Sequence, residues 1–169
     1  MNCPQRKSYR ASFHDYSGGD YFVTICTYDK QHYFGEIKNG TMRYTAIGTY
    51  CVQQLQTLET HYPYASSLLF VVMPNHLHVI IHIDEETLRG SQLNALDESC
   101  VPAERTALSV IVGGLKRSIT MFARRNGIEF GWQSRYYDHI IRGVQDGNHI
   151  AEYIESNIEK WASDCFHTS

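Results

Sequence analysis

The sequence predicts an α+β fold, from the composition of its segments and from their order. Segments rich in β-branched and aromatic residues alternate with segments whose apolar residues recur at helical spacing. The order along the chain is strand, helix, strand, strand, helix, strand, helix. The first six segments follow the ferredoxin-like split β-α-β pattern, which builds an antiparallel sheet with helices packed on one face. We therefore expect such a sheet, with an additional C-terminal helix.

Four segments predict the strands of this sheet. They are residues 20–28, 67–73 and 76–83, and a stretch within 132–142. Pro74-Asn75 separates the second strand from the third. The stretch from Phe34-Gly35 to Asn39-Gly40 contains a turn, and the Asn-Gly dipeptide favours a β-hairpin.

Three segments predict helices, namely residues 46–60, 107–125 and 147–162. Each of them places apolar residues on one face. Gly127 follows the second helix and suits its C-terminal cap. Asn148 stands near the start of the third helix and is a plausible N-cap.

The length of 169 residues predicts a single domain, residues 1–169, that is large enough for a hydrophobic core. Residues 1–18 indicate an irregular N-terminal arm that ends in Ser17-Gly18-Gly19. Residues 84–106 are acidic and polar, with Gly90 and Pro102, and predict an exposed loop.

Composition and charge narrow the function classes. The net charge of −3 does not indicate a basic nucleic-acid-binding domain, although several cations gather in residues 105–125 and allow a local basic face. The five cysteines are scattered without a CxxC pair, which argues against a zinc ribbon or a disulfide framework. No segment has the ~18 apolar residues of a membrane span, and none at the N-terminus is typical of a signal peptide. We expect a cytoplasmic protein without membrane contact.

The first chemical signal is the pair His76 and His78 on a predicted strand. Residues two apart point to the same face of a strand, so both imidazoles project together while Leu77 turns to the core. The pair suits two nitrogen ligands of one metal ion, or two half-exposed histidines with no ligand. His82 has the same parity but lies further along, where it is a neighbour rather than a ligand.

The second signal is Tyr153 with Asn157 on the last predicted helix. Four residues apart, they lie on one helical face. Asn157 falls within the apolar stripe, where an amide is costly unless a metal ion or a hydrogen bond satisfies it. Tyr153 lies at the edge of the stripe. The other interpretation is a packed tyrosine beside a hydrogen-bonded asparagine.

The third signal lies in residues 132–142. Asp138 and His139 could be catalytic, and Arg135 and Arg142 could hold phosphates. The same pattern suits a packed edge strand, and from the residues alone we prefer that structural interpretation.

Five motifs in order resemble the single-tyrosine HUH transposases, especially the REP-associated tyrosine transposases, over nearly the whole chain. The motifs are Tyr21-Phe22-Val23-Thr24-Ile25-Cys26-Thr27, Met73-Pro74-Asn75-His76-Leu77-His78, Gly114-Leu115-Lys116-Arg117-Ser118-Ile119-Thr120, Trp132-Gln133 with Tyr136-Tyr137-Asp138-His139-Ile140-Ile141-Arg142, and Tyr153-Ile154-Glu155-Ser156-Asn157. The second motif is the most specific to the family.

The resemblance implies a role for each residue of the first two signals. His76 and His78 would be metal ligands, Asn157 the third ligand and Tyr153 the nucleophile, carried by the C-terminal helix. The implied activity is cleavage and rejoining of single-stranded DNA through a covalent 5′-phosphotyrosine, for transposition or for processing of repeat elements. Ile158 departs from the family, which usually has proline after the asparagine.

The cofactor and partners follow from the same resemblance. Three neutral ligands suit a divalent ion, Mg²⁺ or Mn²⁺, and Mn²⁺ is the better match by softness. The implied partner is single-stranded DNA with hairpin or palindromic repeat ends, bound by aromatic rings and cations. The candidate DNA contacts are Arg10, Lys116, Arg117, Arg135, Tyr136 and Arg142. Some family members are homodimers that exchange the nucleophile helix, and others act as monomers.

Two functions of other kinds stay open. A ferredoxin-like sheet with exposed rings can bind single-stranded nucleic acid without cutting it. A metal-dependent phosphodiesterase could use water as the nucleophile, with Tyr153 only positioning the substrate.

Overall fold

The computed structural model describes residues 18–94, 106–163 and 166. The strands are β1 (Gly19–Cys26), β2 (Gly35–Lys38), β3 (Thr41–Tyr44), β4 (Ala65–Val72), β5 (His76–Ile83) and β6 (Tyr137–Ile140). The helices are α1 (Ala46–Gln56), α2 (Leu58–His61), α3 (Glu85–Asn94), α4 (Ala107–Arg125) and α5 (Gly143–Glu155), with 3-10 turns at Tyr28–Lys30 and Trp161–Ser163.

Four strands form one sheet in the order β4-β5-β1-β6. Strand β1 pairs antiparallel with β5 on one side and with β6 on the other, and β5 pairs antiparallel with β4. This is the split β-α-β order, in which β5 separates β1 from the strand that follows the first helices. The predicted α+β class with an antiparallel sheet is therefore confirmed.

Helices α1 and α4 cover one face of the sheet and bury the main core. Alternate residues of the two central strands, such as Val23, Leu77 and Val79, face this side, as the two-residue period of a strand requires. They meet the apolar stripes of the helices, including Leu55 and Ile111. Burial of these large aliphatic side chains supplies the hydrophobic stabilisation of the domain.

The opposite face of the sheet is covered by α5 and the turn that follows it. Phe22 and Ile80 project from the strands and pack against Ile150, Ile154 and Trp161. The domain thus has three layers, with a second, smaller apolar cluster between the sheet and α5. Along the central strands, the residues that alternate with those of the main core point to this second face, and they include both histidines of β5.

Strands β2 and β3 form the hairpin predicted at Asn39-Gly40. Both residues of the turn have positive φ angles, 52° and 71°. These angles are typical of the two-residue turn whose twist matches that of the strands. Gly127 has a φ of 64° and ends α4, as predicted, because a residue without a Cβ adopts this cap conformation without strain.

The exposed loop predicted for 84–106 is wrong for its first part, which forms α3. The carboxylate of Asp84 accepts a hydrogen bond from the backbone N–H of Thr87 at 2.7 Å, which caps the helix. Glu85 and Glu86 then lie in the first turn, where acidic side chains stabilise a helix. The acidic residues that suggested a loop therefore form the cap and the first turn of a helix. Residues 95–105 and the arm up to residue 17 lie outside the described residues.

The last helix differs from the predicted 147–162, and Asn148 is not its N-cap. Helix α5 begins at Gly143, and the carboxylate of Asp146 accepts the N–H of the N-cap residue Arg142 at 2.9 Å. This bond reaches back across the first turn as in a capping box. The helix ends at Glu155, so Tyr153 lies in its last turn and Asn157 in the turn beyond.

Two further observations concern membrane-spanning helices and the cysteines. No helix in the described ranges is long and apolar enough to cross a lipid bilayer. Cys26 and Cys51 are buried free thiols, and burial raises the pKa of the Cys51 thiol. This thiol is therefore protonated and packs as a small apolar group.

Candidate active site

Strand β5 holds His76 and His78 on the face of the sheet that α5 covers. The centroids of the two imidazole rings lie 4.6 Å apart. The rings project together, as expected for residues two apart on a strand, while Leu77 between them belongs to the main core. The two histidines are 0% and 1% exposed, so they are not the half-exposed pair of the alternative interpretation.

Each histidine is held at Nδ1 by one polar neighbour. The carboxamide Oδ1 of Asn75 lies 2.8 Å from Nδ1 of His76. The hydroxyl of Thr24 lies 2.8 Å from Nδ1 of His78, because Thr24 stands directly opposite His78 in the pairing of β1 with β5. Such bonds fix the ring orientation of metal-binding histidines in many proteins.

Burial keeps both imidazoles neutral. It lowers the pKa of His78 to about 3. It also lowers the pKa of His76 well below its usual range, with further contributions from His78 and Lys30. A neutral imidazole offers a lone pair, so both rings are in the form that binds a metal ion.

Tyr153 approaches the pair from α5. Its hydroxyl lies 3.3 Å from Nε2 of His78, and the two ring centroids are 5.1 Å apart. The ring of Phe22 also stacks on the His78 ring, with 5.3 Å between the centroids. The structure therefore brings together the helical tyrosine and the strand histidines that the sequence analysis singled out separately.

Asn157 is 2% exposed and belongs to the same region. It lies four residues after Tyr153 and four before Trp161, and the rings of these neighbours contact His78 and His76 respectively. Its carboxamide Oδ1 is buried and has no hydrogen-bond partner. Its backbone N–H donates to Ile154, which tightens the chain as α5 ends.

Two buried polar atoms of this region lack a partner, namely Nε2 of His76 and Oδ1 of Asn157. A buried group without a hydrogen bond costs about 1–3 kcal/mol. Both are donor atoms of the kind that bind divalent metals. Nowhere in the described part of the chain do three or more His, Cys, Asp or Glu side chains gather. By the chemistry of their donor atoms, His76, His78 and the amide of Asn157 are the candidate metal ligands in this region.

Aromatic rings cover the histidines on the side of the C-terminus. The ring of Phe166 packs on His76 at 4.5 Å and that of Trp161 at 6.0 Å. The backbone carbonyl of Phe166 accepts a hydrogen bond from Nδ2 of Asn75 at 2.8 Å. These contacts exclude water from the side of the histidine pair that faces Trp161 and Phe166.

Sequence reasoning missed Thr24 and Asn75 as partners of the histidines. A signal existed for each. Thr24 is a hydroxyl side chain within the aromatic and apolar run 21–26, and Asn75 directly precedes the histidine pair. Neither signal names the partner, because the register of the strands and the path of the connections decide the contact.

Three other candidates are bonded to partners of their own or face the main core. His82 pairs with Asp20 at 2.7 Å, roughly 13 Å from His78 along an extended strand. His139 bonds to Asp146 at 2.9 Å, at the start of α5. Asp138 stands opposite Val23, a main-core residue, so it faces the layer of α1 and α4.

The predicted DNA contacts are spread over both faces of the sheet. Arg117 is exposed and lines a cavity of 390 Å³ beside α1 and α4, away from the histidines. The ammonium of Lys116 donates to the carbonyl of Gln133 at 2.6 Å, and Tyr136 packs against the main core. Arg135 and Arg142 are exposed. Arg10 lies outside the described residues.

Tyr137, rather than the predicted Tyr136, lies on the same face of the sheet as the histidines. It stands opposite Thr24 in the pairing of β6 with β1, so it shares the face of the histidines. Its side chain is 43% exposed. The sequence could not separate these two neighbouring tyrosines without knowing which of them begins the strand.

Comparison with known proteins defines the fold first and then the family. A scan of protein-family models gives no match. A solved structure of a REP-associated tyrosine transposase bound to a REP hairpin superposes with a TM-score of 0.59 at 19% identity, covering 91% of this chain and 73% of that one. The chain therefore has the fold of that transposase.

A relative at higher identity defines the family. An uncharacterized protein of Haemophilus influenzae is 37% identical over 164 residues, which cover 94% of this chain and 91% of the relative. The chain belongs to the same family as that protein.

Proposed function

We propose that this protein cuts and rejoins single-stranded DNA through a covalent 5′-phosphotyrosine on Tyr153. The observation that carries the proposal is the 3.3 Å approach of the Tyr153 hydroxyl to His78, beside two buried ligand atoms without partners. A nucleophile next to a set of neutral metal ligands is the arrangement that phosphodiester transesterification needs. Likeness to a transposase fold supports the same activity.

His76, His78 and Asn157 would hold Mg²⁺ or Mn²⁺. Bound there, the ion would supply Lewis-acid stabilisation of the negative charge on the phosphate oxygens. The ligands add no negative charge of their own, which suits an anionic substrate.

Tyr153 supplies the new bond to phosphorus. Its oxygen attacks the phosphorus, the bond to the 3′-oxygen breaks, and the departing 3′-oxygen takes up a proton while the tyrosine proton leaves to solvent. The tyrosine is linked to the 5′-phosphate, and attack by a 3′-hydroxyl reverses the step. Because the number of ester bonds is conserved, strands can be rejoined without an external energy source.

The fold holds the reacting groups in place before substrate binds. Tyr153 lies in the last turn of α5, and the second apolar cluster, through Ile150 and Ile154, fixes that helix on the sheet. The histidines lie on a central strand, paired on both sides. Rigid placement of this kind lowers the entropic part of the barrier.

We propose single-stranded DNA with hairpin or palindromic ends as the substrate. The structural neighbour was solved bound to a REP hairpin, which supports this substrate class. Tyr137 and the exposed Arg135 and Arg142 are candidate contacts for bases and phosphates. In a homodimer that exchanges α5, Tyr153 would act on the partner's site.

The decisive experiment is a covalent-adduct assay. The protein is incubated with labelled single-stranded hairpin DNA and Mn²⁺ and then separated on a denaturing gel. We expect a protein band shifted by covalent DNA, absent for Tyr153→Phe and absent with a chelator. The DNA panel should come from sequence flanking the gene and include unstructured strands of equal length.

The other outcomes identify the two competing functions. Cleavage that persists in Tyr153→Phe without an adduct would overturn the tyrosine mechanism and indicate a phosphodiesterase that uses water. Tight binding without cleavage across the panel would indicate a binding module. Tyr44→Phe serves as the matched control, because it removes an exposed tyrosine hydroxyl on the separate β2–β3 hairpin, away from the nucleophile.

A further inference from the structure

Asn75 differs from every other polar neighbour of the histidine pair, because the direction of its amide is fixed. Its Nδ2 lies 2.8 Å from the carbonyl of Phe166 and 3.2 Å from the carbonyl of Lys30. Backbone carbonyls only accept hydrogen bonds, so both must face the NH₂ group. The assignment of oxygen and nitrogen in this side chain is therefore determined by its surroundings.

The backbone of Asn75 is held as well. Its carbonyl accepts from both the N–H and the hydroxyl of Thr27, each at 2.9 Å. The residue is 1% exposed, so water does not compete for its polar groups. Rotation of the amide would turn its oxygen toward two carbonyl oxygens, an arrangement without hydrogen bonds to the amide that is costly in a buried position.

With Nδ2 so engaged, Oδ1 faces Nδ1 of His76 at 2.8 Å. An amide oxygen only accepts, so the proton of the neutral ring must be on Nδ1. Nε2 then carries the lone pair. That nitrogen is the buried atom without a partner. The orientation of a single amide thus decides which nitrogen of His76 is available.

His78 is under no such constraint. Its neighbours at Nδ1 and Nε2 are the hydroxyls of Thr24 and Tyr153, and a hydroxyl can donate or accept. Either neutral form of the His78 ring can therefore be satisfied in place. The two histidines look alike in sequence, yet only one of them is committed to a single form.

We propose that Asn75 is a positioning residue that commits His76 to the form with an unprotonated Nε2, and that the Lys30 and Phe166 carbonyls set the Asn75 amide for this task. The inference rests on the proposed function in that it assigns His76 as a metal ligand. It adds that the ligand is preorganised before any metal binds. Asn75 touches neither metal nor DNA and acts through His76.

The test begins with the wild-type protein in chelator at neutral pH. Long-range proton–nitrogen correlation of ¹⁵N-labelled protein distinguishes a ring nitrogen that carries a proton from one that does not, and His76→Gln assigns the signals. We expect Nδ1 of His76 to be protonated and Nε2 to be bare. A protonated Nε2 would overturn the inference, whatever the protein does to DNA.

Variants then test the cause. Asn75→Leu should give His76 a mixture of both forms, whereas Thr24→Val, which removes the Nδ1 partner of His78, should leave the His76 signals unchanged. Should Asn75→Leu fail to fold, the smaller Asn75→Ala removes the same amide and should give the same mixture. A single unchanged form in folded Asn75→Leu would contradict the role of Asn75.

Metal binding gives a second measurement. Titration with Mn²⁺ followed by electron paramagnetic resonance should show affinity about 10- to 100-fold weaker in Asn75→Leu than in the wild type. Equal affinities would overturn the positioning role. A bare Nε2 in a wild type that neither binds Mn²⁺ nor forms an adduct would refute the proposed function and leave the orientation by Asn75 intact, so the two failures are distinguishable.

Discussion

Tyr137 stands directly opposite Thr24 in the pairing of β6 with β1, while the hydroxyl of Thr24 bonds to His78. The exposed ring of Tyr137 is thus connected to the candidate ligand His78 through Thr24, which pairs with Tyr137 across the strands and bonds to His78. Among the described residues, strand β6 is at the edge of the sheet. A base entering the site from this edge would meet the ring first.

Replacing Tyr137 should therefore weaken binding of single-stranded DNA. Stacking of one base on a ring contributes about 1–3 kcal/mol, so Tyr137→Ala should raise Kd about five- to 150-fold. Tyr137→Phe should retain most of the affinity. Fluorescence anisotropy with labelled oligonucleotides measures the effect. Tyr44→Ala is the control, because Tyr44 is similarly exposed, at 42%, on the separate hairpin. Equal losses in both alanine variants would contradict a stacking role.

Asn157→Leu should change stability in opposite directions with and without metal. Its carboxamide Oδ1 is buried without a hydrogen-bond partner, so an apolar side chain of similar size should stabilise the metal-free protein by about 1–3 kcal/mol. The same change should abolish the stabilisation that Mn²⁺ gives to the wild type, because a ligand that binds only the folded state stabilises it. Urea unfolding in chelator and in Mn²⁺ measures both effects. A large loss of stability in chelator would show that the amide has a partner.

The buried histidines should make the metal-free protein less stable in mild acid. The folded-state pKa values of His76 and His78 are lowered, so in the folded protein the rings stay neutral where those of the unfolded chain, with pKa about 6.5, take up protons. The unfolded state binds more protons below that pH, and stability must fall as pH drops from about 6.5 toward about 3.

Melting temperatures of the wild type and of a His76→Gln/His78→Gln variant, taken in chelator from pH 7.5 to pH 5, measure this loss. The wild type should lose more stability than the variant over that interval. Parallel curves would show that the histidines are already protonated, or accessible to water, in the folded protein.

Two adjacent glycines in α4 should respond oppositely to alanine. A Cβ at Gly113 meets nothing within 4 Å, so Gly113→Ala should stabilise the helix by up to about 1 kcal/mol. A Cβ at Gly114 would lie 1.7 Å from the hydroxyl oxygen of Tyr62, so Gly114→Ala must displace that side chain and should destabilise the protein. Chemical denaturation compares the pair. Addition of Tyr62→Phe should recover part of the loss at Gly114, and its failure to do so would place the conflict elsewhere.

The sequence predicted best where one local pattern dominates. Strand β5 and helix α4 have the bounds expected, 76–83 and 107–125, because their apolar residues keep one period from end to end. The shared face of His76 and His78 follows from the same period. Their burial does not, since it depends on α5 and the C-terminal rings, which are distant in the chain.

Predictions failed where two local signals compete. The acids after Asp84 are equally typical of a solvated loop and of a capped first turn, and only the bond from Thr87 decides between them. Asn148 is a good N-cap by type, but Asp146 bonds back to Arg142 and starts α5 earlier. The bonds of Thr24 and Asn75 to the histidines depend on strand register and on chain paths that local sequence does not encode.

The rings of Trp161 and Phe166 over His76 have a kinetic consequence. If the pair holds a metal ion as proposed, an ion that enters or leaves from that side must wait for these two rings to move, so their motion rather than the strength of the ligands would set the rate of exchange. Affinity and residence time are then separate properties of the protein. Two relatives with identical ligands could bind manganese equally tightly and still release it at very different speeds.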